Sequence, residues 1–166
     1  MGDREPAHWS CADTFANRLA DMSLIDRFRR RGNLQVIELK AIKLAGGAHV
    51  AVVGESHYQD AIVRTAALSP PDSEEPDRRA FQAVLVREPG NKYDPNAVGV
   101  YSSVGQLGHL LREAALEYGP VFEEIARQGA NAGVCVGLIG RRDHTVPYGV
   151  VLRLSIPRIC LEELAQ

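Results

Sequence analysis

The stretch REPGNKYDPNAVGVY, residues 87–101, is the densest group of turn-forming and polar residues in the chain. Pro95 biases Asp94 towards an extended backbone, and the short side chains of Asn91 and Asp94 can bond nearby backbone amides and fix turns. The residues therefore predict a tight connection between two strands. Two interpretations of the oxygens of Asn91 and Asp94 stay open: they hold the turn, or they face outward and accept a hydrogen bond from a sugar hydroxyl. Tyr93 is either a core residue or a face on which a base stacks.

Alternating apolar and polar residues, with turn residues between them, predict strands on both sides of this connection. The strand-like segments are residues 34–44, 49–54, 81–87, 96–102, 106–110, 134–140 and 148–156. Helical spacing is found over 58–68, over 112–128 with a restart at Gly119 and, as a last turn, over 159–166, whereas the Pro- and acid-rich residues 69–79 predict a solvated loop. Many short strands with few helices predict a mainly β, barrel-like α+β fold.

The N-terminal part of the chain has a helical pattern. Phe15, Leu19, Met22 and Phe28 lie close to helical spacing, and three arginines before a glycine, residues 29–32, are typical of the end of a helix. We therefore predict two short helices, or one kinked helix, over residues 11–31.

Charge and cysteine content limit the class of protein. The 166 residues carry 19 Lys and Arg against 21 Asp and Glu, so a nucleic-acid site has to be a local basic patch, because generic polyanion binders are strongly basic. Cys11, Cys135 and Cys160 are odd in number and far apart, which predicts free thiols in a reducing cytoplasm. No cofactor or metal is expected, and no membrane span or signal pattern is found in the sequence.

Enzyme signatures are missing from the sequence. It has no GxGxxG, GxSxG or HExxH motif, and without a phosphate-binding GxxxxGK loop we expect no ATP-driven motor in this chain. One enzymatic alternative stays open, in which Glu55, Glu88 and Asp94 hold Mg²⁺ for phosphodiester hydrolysis.

Three segments together resemble the HIRAN domain family. Residues 87–101 look like the most characteristic stretch of that family, in which R-x-P-x-N-x-Y-D-x-N-A is followed by valine or isoleucine. Residues 52–58, VVGESHY, resemble its opening strand, and residues 104–112, VGQLGHLLR, resemble its strand that leads into a helix. Residues 135–157 look like the closing hairpin. The resemblance covers roughly residues 50–157.

The resemblance implies a small six-stranded, OB-like β-barrel with two helices. It divides the chain into a helical extension and lead-in strand over 1–46, a HIRAN domain over 47–157 and a tail over 158–166. The best-understood members belong to repair helicases and grip the 3′-hydroxyl end of single-stranded DNA. The resemblance thus implies a non-enzymatic binding module for DNA repair or fork processing.

By motif position, the resemblance assigns roles to residues of this chain. The terminal-sugar pocket falls to Asn91 and Asp94, base stacking to His57 and Tyr58, and phosphate contacts to His109 and Arg112. Ser56 stands where the DNA-binding member has an arginine, and Arg142 stands near a stacking aromatic of its hairpin. Arg141 and Arg142 are expected to compensate, because guanidinium planes also stack on bases.

A third function remains open beside the binding module and the nuclease. In this alternative the barrel has lost DNA binding and serves as a protein-interaction module. The helices of residues 11–31 would then dock a helicase, a nuclease or another repair protein through the apolar face that carries Phe15, Leu19, Met22 and Phe28.

Overall fold

The computed structural model describes residues 25–30, 33–44, 46–141 and 143–166. The strands are β1 (Ile25–Arg30), β2 (Asn33–Glu38), β3 (Ala41–Lys43), β4 (Ala48–Val53), β5 (Arg79–Arg87), β6 (Val98–Tyr101), β7 (Gln106–Leu110), β8 (Ala132–Gly140) and β9 (Gly149–Leu154). The helices are α1 (Gln59–Leu68), α2 (Arg112–Glu117), α3 (Gly119–Arg127) and α4 (Pro157–Leu164), and a 3₁₀ turn spans Glu55–His57. None of the described helices is long and apolar enough to cross a membrane.

Six antiparallel strands close into a barrel in the order β8-β5-β6-β7-β4-β9, and β9 returns to β8. The barrel closes because β8 is long enough to pair with two strands in succession. Its first part, Ala132–Val134, pairs in parallel with β3, and its second part, Val136–Gly140, pairs antiparallel with β9. The predicted six-stranded barrel of the α+β class is therefore confirmed. The described residues form four α-helices, where the family resemblance implied two.

The core follows the two-residue period of the strands. In β5, Phe81, Ala83 and Leu85 point into the barrel and are buried together with apolar residues of α1, α3 and α4. Gly137 makes room for the largest of these side chains, because a Cβ there would lie 2.3 Å from Cζ of Phe81. Packing thus requires a glycine at position 137 of β8.

The prediction of a helix over residues 11–31 is wrong for residues 25–30, which the structure describes. Residues 25–30 form β1, which pairs antiparallel with β2 from Ile25↔Glu38 to Arg30↔Asn33, whereas residues 11–24 lie outside the described residues. Short segments with a weak helical pattern adopt a strand when an adjacent strand can pair with them. The strand predicted over 34–44 is divided into β2 and β3, with Leu39 and Lys40 between them.

The acidic loop 69–79 is less solvated than its composition predicts. Asp72 is only 5% exposed, and both of its oxygens accept hydrogen bonds from the guanidinium of Arg153 on β9, at 3.0 and 2.7 Å. Glu75 reaches Arg153 at 3.3 Å and His49 of β4 at 2.9 Å. Ion pairs and hydrogen bonds from Asp72 and Glu75 therefore hold the loop against the outer face of β4 and β9. The same carboxylates bind the guanidinium of Arg153.

Replacing Asp72 with asparagine is expected to lower the free energy of unfolding by about 3 kcal/mol, because it leaves a largely buried guanidinium without its two-pronged partner. Urea unfolding of the variant beside Asp77→Asn, an exposed aspartate of the same loop, measures the difference. Equal midpoints for the two variants would show that the loop is not fastened in this way.

Candidate functional site

Glu88 is the centre of a buried polar network where β5 ends. The residue is 6% exposed, and its Oε1 accepts a hydrogen bond from the hydroxyl of Tyr101 at 2.9 Å. Its Oε2 accepts a hydrogen bond from Nδ2 of Asn91 at 3.0 Å and lies 3.2 Å from Nε2 of His109. Glu88, Asn91, Tyr101 and His109 are called the Glu88 network below. They link the loop 88–97 to the outer side of β6 and β7.

Hydrogen bonds to the carboxylate outweigh the cost of burying it. Burial alone would raise the pKa of Glu88, but the hydrogen bonds from His109, Asn91 and Tyr101, with the attraction of His109, lower this pKa from 4.5 to about 2. Glu88 is therefore ionised at neutral pH and acts as the acceptor around which the other three side chains are arranged.

The loop 88–97 is held by the side chains of Asn91 and Asp94. Oδ1 of Asn91 accepts hydrogen bonds from the backbone N–H groups of Tyr93 and Asp94, at 3.0 and 3.2 Å. Oδ1 of Asp94 accepts one from the N–H of Asn96 at 2.9 Å. The turn-holding interpretation is observed: Asn91 is used at both ends of its amide, and Asp94 holds the loop with one of its two oxygens.

The second oxygen of Asp94 lies beside an exposed arginine. Oδ2 is 3.9 Å from Nε of Arg112, at the first residue of α2, which is beyond hydrogen-bond distance. The side chain of Asp94 is 20% exposed, and that of Arg112 is 75% exposed. This oxygen can therefore accept a hydrogen bond from a ligand while the guanidinium offers donors next to it.

Three residues that the sequence singles out as candidates for base stacking or sugar contact differ in exposure. Tyr93 is not a core residue, because it is 84% exposed, and the ammonium of Lys92 lies 5.0 Å from its ring centre. Tyr58 is half-buried, with its ring centre 6.5 Å from that of His109. His57 is exposed at the end of the 3₁₀ turn. Tyr58 is thus connected to the Glu88 network through His109, whereas Tyr93 and His57 are exposed at the surface.

Arg141 belongs to a second aromatic contact, at the connection of β8 and β9. Its guanidinium lies 4.5 Å from the ring centre of Tyr148. Gln59 fixes the backbone of Tyr148, because its side-chain amide donates to the carbonyl at 3.0 Å and accepts from the N–H at 3.2 Å. Gln59 follows Tyr58 directly, so this contact is tied to the start of α1. Arg142 lies outside the described residues.

The carboxylates of the Mg²⁺ alternative have other partners. Oε1 of Glu55 accepts a hydrogen bond from the N–H of Val150 at 2.5 Å, and both oxygens of Glu88 are engaged in the Glu88 network. Burial raises the pKa of Glu55 and the bond from Val150 lowers it, with a raised pKa as the result. In the part of the chain that the structure describes, no group of three or more His, Cys, Asp or Glu residues could hold a metal ion.

Sequence reasoning found most of the residues that meet here and missed three. Through Glu88, the predicted residues form a series of neighbours that runs from Arg112 to Asp94, Asn91, His109 and Tyr58. Glu88 was considered only as a metal ligand, although it is the hydrogen-bond acceptor of the network, and Tyr101 and Tyr148 were not singled out. The spacing of three residues between Glu88 and Asn91 across a Pro-Gly turn is the one signal that could have indicated their contact.

The family resemblance is confirmed for the central part of the chain. The HIRAN domain family model matches residues 78–141, a shorter range than the predicted 50–157. The match includes β5 to β8 and the whole Glu88 network, and it leaves out Tyr58, the 3₁₀ turn and β9.

Comparisons with individual proteins give distant likenesses. No curated protein matches the chain. The chain is similar to the crystal structure of a protein from Lactobacillus plantarum, with 23% identity and a TM-score of 0.43 over 65% of this chain and 90% of that chain. It is also similar to the crystal structure of the HIRAN domain of human HLTF, with 21% identity and a TM-score of 0.37 over 73% of this chain and 87% of that chain.

Proposed function

We propose that the protein binds single-stranded DNA and prefers its 3′-hydroxyl end, on the premise that residues 78–141, which match the HIRAN family model, form a nucleic-acid-binding module. The protein acts as a binding module in DNA repair or replication-fork processing, without chemistry of its own. The observation that carries the proposal is Oδ2 of Asp94, an acceptor without a hydrogen-bond donor among the described residues, in a loop where both oxygens of Glu88 and the amide oxygen of Asn91 already accept hydrogen bonds.

The chemistry of this oxygen suits the end of a DNA strand. A terminal 3′-hydroxyl donates one hydrogen bond, and a carboxylate oxygen is the strongest acceptor that a protein offers for it. An internal nucleotide has no such donor, because its 3′ oxygen is part of a phosphodiester. In this proposal Arg112, whose Nε lies 3.9 Å from Oδ2 of Asp94, contacts the phosphate that precedes the terminal sugar.

Exposed rings and cations elsewhere on the domain supply the sequence-independent part of binding. Single-stranded DNA is commonly bound by stacking its bases on aromatic rings and guanidinium planes and by neutralising its backbone. Tyr93 and His57 are exposed at the surface, and Arg141 is exposed over the ring of Tyr148. Arg153 takes no part in this surface, because Asp72 and Glu75 occupy its guanidinium.

The proposal is tested by separating end recognition from phosphate contact. Asp94→Ala should weaken binding of a short 3′-hydroxyl oligonucleotide by about 1–3 kcal/mol and leave the salt dependence of binding nearly unchanged. Arg112→Ala should reduce the slope of log K against log salt by about 0.7, the value of one single-strand phosphate contact. Fluorescence anisotropy in excess EDTA and in Mg²⁺ measures both, and equal binding in the two buffers is expected of a module that needs no metal.

The chain offers a matched control for the arginine. Arg127, at the end of α3, is 77% exposed and lies beside Glu124, much as Arg112 is 75% exposed beside Asp94. Arg127→Ala should leave both affinity and salt slope unchanged. Metal-dependent cleavage of DNA, or the absence of DNA binding in both buffers, would contradict the proposal, and the second outcome would favour the protein-interaction alternative.

A further inference from the structure

Tyr101 connects the Glu88 network to a second apolar cluster on the outside of the barrel. This cluster consists of Leu39, Val84, Tyr101, Ala132 and Val134. Tyr101 is 9% exposed and Leu39 is 8% exposed. The ring of Tyr101 is therefore packed among apolar side chains, while its hydroxyl donates to Oε1 of Glu88 at 2.9 Å.

Leu39 reaches this cluster from outside the matched family segment. It precedes β3, whose pairing with Ala132–Val134 fixes the segment against β8. The carbonyl of Lys40 accepts hydrogen bonds from the N–H groups of Asn131 and Ala132, and the N–H of Lys40 donates to Oδ1 of Asn131 at 2.9 Å. Hydrogen bonds through both backbone groups of Lys40 thus hold the lead-in segment, and Leu39 is buried in the same apolar cluster as Tyr101.

Gly99 leaves the space in which the carboxylate of Glu88 and the ring of Tyr101 meet. A Cβ at this position would lie 2.6 Å from Oε1 of Glu88 and 2.6 Å from Cε2 of Tyr101. In the barrel, Gly99 pairs with His109, so the tyrosine hydroxyl, the carboxylate and the imidazole share one stretch of the outer surface. The phenol hydroxyl therefore bonds the same carboxylate that Asn91 and His109 contact.

We infer that Tyr101 is a positioning residue of the DNA-end site and that Leu39, in the lead-in segment, holds it in place. The inference rests on the proposed function, because the positioned residues include the loop that carries Asp94. Asn91 transmits the effect: one end of its amide is bound to Glu88, and the other end receives the backbone N–H groups of Tyr93 and Asp94. The site therefore requires residues 39–44 in addition to the matched segment 78–141.

The test compares two buried tyrosine hydroxyls in the full chain. Tyr101→Phe should weaken binding of a 3′-hydroxyl oligonucleotide about tenfold, the equivalent of one charge-assisted hydrogen bond. Tyr118→Phe is the matched control, because Tyr118 is 4% exposed and its hydroxyl donates to the carbonyl of Ser155 at 2.7 Å, away from the Glu88 network. It should change the affinity less than about twofold at a similar loss of thermal stability.

A second readout follows the carboxylate directly. In the native protein the pKa of Glu88 is lowered to about 2, and the bond from Tyr101 is one of its causes. A ¹³C NMR titration of the Glu88 carboxyl should show this pKa raised in Tyr101→Phe and Leu39→Ala, and unchanged in Tyr118→Phe. Leu39→Met conserves the volume of the side chain, so this variant should retain both the native titration and the native affinity that Leu39→Ala loses.

The two readouts distinguish failure of the inference from failure of the proposed function. If the native protein binds DNA and Tyr101→Phe binds it with the same affinity, the inference alone is overturned. An unchanged Glu88 titration in that variant overturns it as well. Absence of DNA binding by the native protein overturns the proposed function, and the titration then still decides whether Tyr101 and Leu39 position the carboxylate.

Discussion

Replacing Glu88 with glutamine is expected to lower the free energy of unfolding by about 2–4 kcal/mol and to weaken binding of single-stranded DNA at least about tenfold. The glutamine amide presents two N–H groups where the carboxylate has an acceptor, so it faces one or more of the donors from Tyr101, Asn91 and His109. A donor left unpaired in a buried site loses its hydration without compensation. Urea unfolding measures the stability, and fluorescence anisotropy measures the affinity for DNA.

The same carboxylate gives the native protein a defined pH dependence. Its folded pKa of about 2 lies below the ordinary value of 4.5, so its contribution to stability is complete above pH 4.5 and is lost as the pH falls towards 2. A shift of this size corresponds to about 3 kcal/mol. Glu88→Gln should remove this part of the pH dependence, so the curves of the two proteins should converge as the pH falls.

Glu113→Gln is the control for a change of charge alone. Glu113 is exposed on α2, next to Arg112 in the chain, and its replacement should leave the unfolding midpoint within the error of measurement. A Glu88→Gln protein with native stability at neutral pH and an unchanged acid transition would show that the network does not hold the carboxylate as the structure has it.

The barrel could be predicted from the sequence because each strand carries its own signal. The alternation in β5 places Phe81, Ala83 and Leu85 on one face, and the predicted strand over 106–110 has the observed bounds of β7. The two-helix restart at Gly119-Pro120 was also correct, since proline is well tolerated at the start of a helix. These signals are local, so no partner needs to be known.

The elements that failed depend on partners that are distant or ambiguous in the sequence. Residues 25–30 carry apolar positions that fit a helix or a strand, and pairing with β2 decides the outcome. Asp72 looks like one more acid of a solvated loop until Arg153, 81 residues away, is placed against it. A pattern within one segment holds no information about such a partner.

The candidate site shows the same division between local and distant information. The turn chemistry of Asn91 and Asp94 was predicted from neighbouring residues and is observed in the bonds to Tyr93, Asp94 and Asn96. The role of Glu88 required two residues, Tyr101 and His109, that the pairing of β6 with β7 brings to it. Residues assigned by motif position alone, such as His57 and Arg141, stay predictions until DNA binding is measured.

A phosphate on the 3′ end of the oligonucleotide is expected to weaken binding at least tenfold, whereas a phosphate on the 5′ end should do little. In the proposed site, Oδ2 of Asp94 would accept a hydrogen bond from a terminal hydroxyl, whereas a terminal phosphate would bring negative charge to within a few ångströms of the carboxylate. Two like charges about 4 Å apart repel by about 4 kcal/mol at the effective dielectric constant of a protein surface. The side chain of Asp94 is 20% exposed, so solvent screens part of this repulsion, and tenfold is the lower bound that follows.

Asp94→Asn separates repulsion from a steric effect of the added phosphate. Asparagine conserves the size of the side chain and its acceptor oxygen for the N–H of Asn96, but it removes the negative charge. The variant should bind the hydroxyl end more weakly than the native protein and the phosphate end no more weakly, so the preference between the two ends should fall to about twofold or less. Competition of the two oligonucleotides for one labelled 3′-hydroxyl strand measures this ratio in both proteins. A native protein that binds both 3′ ends equally would contradict end recognition by Asp94, and a preference that persists in Asp94→Asn would assign the discrimination to the shape of the site instead of its charge.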